Sequence, residues 1–186
     1  MIYEAIDRWN TPSLLHYGVK GMKWGIRKDR DVLFVSGSSK TQTKDSGYYR
    51  KRLPKAIKNE LESSIKKNTK IIVGDAPGVD RQVQNYLKKK KYLNVEVYGP
   101  GNSVRYLANK KWKSHSIDAP EFEVGSKEWL AKKDIEMARV STRGLAITLD
   151  EGSKATKKNV ERLISQNKNV KVYELSSKGR KYDSWR

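Results

Sequence analysis

The sequence predicts a Rossmann-like α/β fold, a doubly wound and mostly parallel five-stranded sheet with helices on both faces. Five short apolar runs, rich in β-branched residues, alternate along the chain with segments of helical periodicity. Right-handed crossovers between parallel strands place such helices on both faces of a sheet. Three of the five runs also lead into loops of small residues, which is typical of the carboxyl edge where such sheets bind ligands. The predicted strands are 32–35, 71–73, 95–98, 145–149 and 170–175.

The first strand ends in a loop that suits a phosphate. Its residues Gly37, Ser38 and Ser39 are small, and the serine hydroxyls can donate hydrogen bonds. A polar stretch follows, and Leu53, Ile57 and their apolar neighbours up to residue 65 then predict a helix.

The second strand and the turn after it form the segment around which the chain is organised. The turn contains Gly74, Ala76, Pro77 and Gly78, and Val79 opens a helix whose apolar residues fall on one face. Backbone N–H groups of such a turn, together with the positive end of a helix, favour an anion. The alternative is an ordinary strand-to-helix turn.

Two acids, Asp75 and Asp80, flank this turn. A carboxylate there repels phosphate unless it turns away. We therefore expect each acid to hold a ribose hydroxyl, cap the helix or act in catalysis.

The second half of the chain supplies a third loop and a third acid. Residues 102–125 are predicted to be irregular, either a lid over the ligand or a decoration of the fold. The helix predicted over 126–140 carries Asp134 on its apolar stripe, beside Lys133, and an inward acid needs a partner or a ligand. The fourth strand leads into a small-residue loop before a helix whose periodic residues are Thr156, Val160, Leu163 and Ile164.

Composition limits the possible functions. The 186 residues carry 40 Lys and Arg against 21 Asp and Glu, a net charge of +19 that favours polyanionic partners or a well-solvated lysine-rich surface. The absence of cysteine excludes disulfides and thiolate chemistry, and two distant histidines argue against a metal site. No run is long enough to span a membrane and no secretory signal is evident, so we expect a cytoplasmic protein with no membrane partner.

The chain divides into three parts: a basic, aromatic leader over 1–30, the globular domain over 31–177 and a basic tail over 178–186. The leader contains HYGVKGMKWGIRK at 16–28, which resembles a short motif found near the ends of many phage-encoded proteins. Tyr17 and Trp24 could anchor it to a phage head protein or a host protein. The resemblance implies a phage protein acting in the infected bacterium, with virion association as an alternative.

The globular part resembles the SLOG superfamily, in particular its YspA/YpsA-like branch. Four motifs of that branch have counterparts here: the first-strand Gly-Ser loop, the GGARGAD-like turn, a basic-acidic pair with Met137, and a G-S-x-G-T-like loop. Asp75, Pro77 and Ala155 depart from the usual glycine, arginine and glycine. In the related lonely-guy phosphoribohydrolases a catalytic glutamate occupies the position of Asn159, and an amide cannot replace it in hydrolysis. The matching residues are Gly37, Ser38, Ser39, Gly74–Asp80, Lys133, Asp134, Gly152, Ser153, Lys154, Ala155 and Thr156.

These observations lead to three hypotheses about function. The first is a homo-oligomeric phage protein that binds an ADP-ribose-like or cyclic-nucleotide signal in host defence signalling, with no other cofactor. The second is an enzyme that cleaves a nucleotide N-glycosidic bond, with Asp80, Asp75 or Asp134 as the acid. The third is a nucleic-acid-binding protein similar to the SLOG-containing DprA proteins. The ligand-contacting residues are expected to be Gly37, Ser38, Ser39, Gly74, Ala76, Pro77, Gly78, Val79, Lys133, Gly152, Ser153, Lys154, Ala155 and Thr156.

Overall fold

The computed structural model describes residues 31–39, 53–149, 153–175 and 184–185. The predicted leader lies outside these residues, as does most of the predicted basic tail. Four helices and seven strands occur in the described part. They are β1 (Val32–Gly37), α1 (Lys55–Lys66), β2 (Lys70–Gly74), α2 (Val79–Lys89), β3 (Val95–Pro100), β4 (Lys113–Ile117), α3 (Lys127–Val140), β5 (Arg143–Leu149), α4 (Lys154–Ser165), β6 (Asn169–Leu175) and β7 (Ser184–Trp185).

The strands form one sheet in the order β4-β3-β2-β1-β5-β6-β7. Strands β1 to β6 pair in parallel, and β7 pairs antiparallel to β6. From β1 the chain builds outward through β2, β3 and β4, then returns to the other side of β1 to add β5 and β6. The predicted Rossmann-like, doubly wound class is therefore confirmed, with its topological switch point between β1 and β5.

The predicted number of strands was too small by two. The five expected strands are β1, β2, β3, β5 and β6, whereas β4 lies within 102–125 and β7 lies in the predicted tail. Strand β4 has the sequence KSHSI, and as an edge strand paired only with β3 it needs no apolar run. Its composition therefore gave no strand signal.

Alternate strand residues pack on opposite faces of the sheet, as the period of two requires. Leu33 and Val35 of β1 face the core that contains α1 and α2. Phe34 faces the second core, where it meets Met137 of α3 and Leu163 of α4. Helices therefore cover both faces, and their first turns flank the carboxyl ends of the strands.

Two predicted helix faces need correction. Ile164 is 60% exposed, and the buried positions of α4 are Thr156, Asn159 and Leu163. On α3 the buried polar residue of the apolar stripe is Lys133, four residues before Met137, and not Asp134 as predicted. Asp134 lies beside Lys133 at the margin of the core. In both helices polar side chains occupy the inward face close to the carboxyl edge of the sheet.

At the amino edge of the sheet, one acid, Asp31, connects several elements through hydrogen bonds. The Asp31 carboxylate accepts hydrogen bonds from Arg143 at 2.9 and 3.0 Å, from Thr69 at 2.7 Å and from Thr142 at 3.0 Å. Arg143 Nη2 also donates to Ser64 Oγ at 3.1 Å. This network joins the starts of β1, β2 and β5 to the end of α1. None of the described helices is long and apolar enough to cross a membrane.

Candidate functional site

The loops that follow β1 and β2 pack directly against each other at the carboxyl edge. The Val79 N–H donates to the Ser38 carbonyl at 3.1 Å, and the Ser38 N–H donates to the Ile147 carbonyl of β5 at 3.2 Å. A side chain at Gly37 would overlap Val79, and one at Gly78, where φ is +87°, would overlap the backbone of Ser38 and Ser39. The two glycines therefore allow the loops to come together at the switch point.

An acid and an ammonium group meet where β2 ends. A Cβ atom at Gly74 would overlap the Asp80 carboxylate and lie 3.0 Å from Lys133 Nζ. Asp80 comes from the first turn of α2, and its Oδ2 accepts the Ala76 N–H at 3.2 Å. Lys133 comes from α3 on the other face of the sheet. Both residues are buried, so the end of β2 brings together opposite charges from the two helical layers.

A second acid and an amide extend this cluster. Lys133 Nζ donates to Asp134 Oδ1 at 2.5 Å, and Asn159 Nδ2 donates to Asp134 Oδ2 at 3.2 Å. The same Nδ2 donates to Ser36 Oγ of β1 at 2.9 Å, while Arg162 Nη1 donates to Asn159 Oδ1. Asn159 therefore connects β1 with α3 and α4, and we call Ser36, Asp80, Lys133, Asp134 and Asn159 the polar cluster.

The cluster changes the protonation of Asp80. Burial raises the pKa of the Asp80 carboxyl to about 7; the Lys133 ammonium opposes the rise and the Asp134 carboxylate adds to it. Burial also lowers the pKa of Lys133, but Asp134 and Asp80 outweigh that effect and raise it overall. At neutral pH the site thus holds an acid near its titration midpoint beside a charged lysine. Such an acid can donate or accept a proton.

Asp75 lies at the same edge, but its carboxylate is already paired with Arg105. It is fully buried, and it accepts hydrogen bonds from the Arg105 backbone N–H at 2.8 Å, from Nε at 2.9 Å and from Nη2 at 2.5 Å. Both carboxylate oxygens are therefore engaged by one arginine. Among the predicted acids, Asp80 and Asp134 belong to the polar cluster, whereas Asp75 positions Arg105.

The loop between β3 and β4, predicted to be a lid or a decoration, is fastened to α2. Gln84 is fully buried; its Nε2 donates to the carbonyls of Gly74 and Tyr106, and its Oε1 accepts the Ala108 N–H. The Arg81 guanidinium lies over the Tyr106 ring, 4.9 Å from its centroid. Sequence patterns did not identify Gln84, Arg81 or Arg105. The one available signal was Asp75, an acid after a buried strand that needs a basic partner.

The other predicted ligand residues lie around the same edge. Ser153 Oγ accepts the Leu149 N–H at 3.1 Å and so closes the end of β5. Thr156 is buried in α4, whereas Lys154 and Ala155 are exposed in its first turn. Ser39 and Pro77 are exposed, Ala76 is half-buried and Gly152 lies outside the described residues. Within the described ranges, no group of three or more acidic and histidine side chains is arranged to hold a metal ion.

Comparison with known protein families gives a match in the leader. A family model described as a family of unknown function (DUF7211) matches residues 12–31, which contain the basic, aromatic motif at 16–28. No curated protein matches the chain. The match covers the leader and not the sheet, so it does not bear on what the carboxyl edge binds.

Proposed function

We propose that this protein binds a nucleotide-derived ligand, such as an ADP-ribose-like molecule or a cyclic nucleotide, at the carboxyl edge near β1, β2 and β5. The observation that carries the proposal is that buried Asp80 and buried Lys133 both lie beside Gly74, next to the switch point. Doubly wound sheets bind ligands at this position. Buried charges that contribute no apolar packing are also typical of a functional site.

The ligand's parts match the chemistry of this edge. Asp80 and Asp134 offer oxygen atoms to ribose hydroxyls, and Lys133 balances their charge. Lys154, exposed at the start of α4, offers a cation to phosphate beside the positive end of that helix. The ligand thus spans the edge from the polar cluster to the first turn of α4.

The biological setting is part of the same proposal. Resemblance of the globular part to SLOG proteins, and of residues 16–28 to a phage motif, supports a phage protein that modulates host defence signalling. In that setting the protein acts as a homo-oligomer in the infected cell. Its leader docks on a phage head protein or a host protein.

Calorimetry with ADP-ribose, AMP and cyclic AMP tests the binding. Asp80→Asn should weaken binding by about ten- to a hundredfold, because it removes a charge-assisted hydrogen bond worth about 1.5–3 kcal/mol. Glu161→Gln on the exposed surface of α4 makes the same acid-to-amide change away from the cluster and should leave affinity unchanged. A parent protein that binds none of the three probes would refute the proposal.

A second candidate is cleavage of an N-glycosidic bond, and the pKa of Asp80 near 7 favours it. Protonated Asp80 would give its proton to the departing base, and water would take the base's place on the ribose. Asn159 cannot take a proton from that water, so Asp134, the other carboxylate of the cluster, would take it. Release of free base from NAD or AMP, measured by chromatography, separates an enzyme from a binding protein. In an enzyme Asp80→Asn should reduce turnover far more than affinity.

Nucleic-acid binding is a third candidate, supported by the net charge of +19. Affinity based on phosphate contacts falls steeply as salt increases. DNA binding measured between about 50 and 200 mM salt therefore tests it. Loss of DNA affinity in Asp80→Asn would link that binding to the polar cluster, whereas a surface interaction would be unaffected.

A further inference from the structure

On the basis of the proposed function, we propose that Arg105 and Arg81 form the subsite for the phosphate attached to the ribose that meets Asp80 or Asp134, while Lys154 takes a further phosphate of a diphosphate ligand. The Arg81 guanidinium packs on the ring of Tyr106, the residue that directly follows Arg105. The subsite draws its cations from the β3–β4 loop and from the first turn of α2.

Asp75 binds both the backbone and the guanidinium of Arg105. Its backbone N–H and its guanidinium both donate to Asp75, whose side chain has no exposed surface, whereas 41% of the Arg105 side chain is exposed. The guanidinium has five N–H donors, and Asp75 accepts from two of them. Three donors are left for a second acceptor. An arginine fixed by a buried carboxylate loses little conformational freedom when it binds a phosphate.

The Arg105 guanidinium binds Asp75, which directly follows Gly74, the residue beside which the Asp80 carboxylate and the Lys133 ammonium lie. Hydrogen bonds to Asp75 raise the pKa of Arg105 despite partial burial, and the Asp80 and Asp134 carboxylates add to the rise. A ligand whose ribose meets Asp80 or Asp134 would therefore place an attached phosphate within reach of Arg105.

Arg81 provides a second, independent observation. It lies in the first turn of α2, and its Nε is buried without a hydrogen-bond partner among the described residues. Buried donors in proteins are normally satisfied, so this Nε has room for an acceptor, either a water or an anion. A phosphate oxygen supplies such an acceptor.

The competing explanation is that Arg105 is only a brace holding the β3–β4 loop to β2. Loss of a brace would weaken binding of every ligand at this edge to the same extent. Loss of a phosphate subsite would weaken binding of AMP and spare adenosine. The two explanations therefore differ in the ratio of these affinities.

The experiment measures binding of AMP, adenosine and inorganic phosphate by calorimetry. It compares the full-length parent with Arg105→Gln, Arg81→Gln and Arg105→Lys. Arg139→Gln, an exposed arginine paired with Glu136 on α3, is the matched control for lost charge. Because Arg105→Gln leaves Asp75 buried without its partner, the double variant Asp75→Asn/Arg105→Gln tests the same loss with a neutral pair.

We expect Arg105→Gln and the double variant to weaken AMP binding by about ten- to a hundredfold and to leave adenosine binding within about twofold. Arg81→Gln should show the same selectivity with a smaller loss. Arg105→Lys should lose most of the AMP affinity, because lysine cannot bind Asp75 and phosphate with a planar fork. Binding of inorganic phosphate that depends on Arg105 would support the subsite with free phosphate as its occupant.

Equal losses for AMP and adenosine, or unchanged AMP binding in all of these variants, would overturn the subsite and leave the proposed function standing. A parent that binds none of the three probes would overturn both.

Discussion

The two edges of the sheet use the same residue types to opposite effect. At the amino edge, Asp31 is surrounded by donors, and its hydrogen bonds to Arg143, Thr69 and Thr142 outweigh burial and lower its pKa to about 2. At the carboxyl edge, burial beside Asp134 raises the pKa of Asp80 to about 7 despite the nearby Lys133. At the amino edge several hydrogen-bond donors surround one carboxylate. At the carboxyl edge two carboxylates, Asp80 and Asp134, surround one buried ammonium, Lys133.

The contrast separates stability from function. The amino-edge network satisfies its carboxylate, so it stabilises the fold and has no capacity for a ligand. The polar cluster holds a buried acid, Asp80, whose pKa is about 7. Burying such an acid is costly, which indicates that a ligand or a reaction uses it. We therefore expect substitutions at the two edges to differ in size, in pH dependence and in effect on binding.

The largest effect should come from Lys133→Met. It removes the ammonium that pairs with half-buried Asp134 and lies near buried Asp80, and breaking a buried pair typically costs about 3–5 kcal/mol of unfolding free energy. Urea unfolding measures this loss, and adding Asp134→Asn should restore part of it. Lys132→Met, the same change at the more exposed neighbouring residue, should have little effect. Similar losses in the two variants would mean that Lys133 is not the partner of the buried acids.

The pH response should differ in sign between the edges. The pKa of Asp80 is higher in the folded protein, at about 7, than the ordinary aspartate value of 3.8, so its contribution to stability falls as pH rises between those values. Asp31 has a folded pKa of about 2, so its contribution is present above the ordinary value of 3.8 and is lost only as pH falls towards 2.

Melting temperatures of the parent and Asp80→Asn, measured from about pH 5 to pH 8, test this difference. The parent should lose stability over that range, while the variant, which has no carboxyl to ionise there, should lose less. Parallel curves for the two proteins would show that Asp80 does not titrate in this window. The same comparison with Asp31→Asn should show parallel curves above about pH 5.

The fold was predictable because each buried strand appears in the sequence as a short apolar run. Runs such as Val32 to Val35 are apolar because both faces of a parallel sheet are covered, and small residues mark where those strands end. Strand β4 was missed because a strand at the edge tolerates exposed Lys, Ser and His. Ile164 was misplaced because helical periodicity alone does not show which of several apolar stripes faces the sheet.

The site was predictable only in part. Asp80 and Lys133 were identified because the turn after β2 and the basic-acidic pair of α3 carry local signals. Arg105 was not, because its contact with Asp75 joins residues 30 apart and depends on how the β3–β4 loop packs. Asn159 was noted only as a departure from a catalytic glutamate. Its hydrogen bonds to Ser36 and Asp134 became evident once α3, α4 and β1 were seen together.

The smallest loss of unfolding free energy among these variants of the two edges should come from Asp31→Asn at the amino edge. The variant keeps an acceptor for Thr69 and Thr142 but loses the charge that pairs with Arg143. The Asp31 side chain is 42% exposed, so solvent screening limits the loss to about 1–2 kcal/mol in urea unfolding at neutral pH. Glu136→Gln, which removes an exposed pair with Arg139 on α3, sets the baseline and should cause no measurable loss. Ligand affinity should be unchanged in both variants, because neither acid lies at the carboxyl edge. A loss of AMP binding in Asp31→Asn beyond that in Glu136→Gln would show that the two edges are coupled through the sheet.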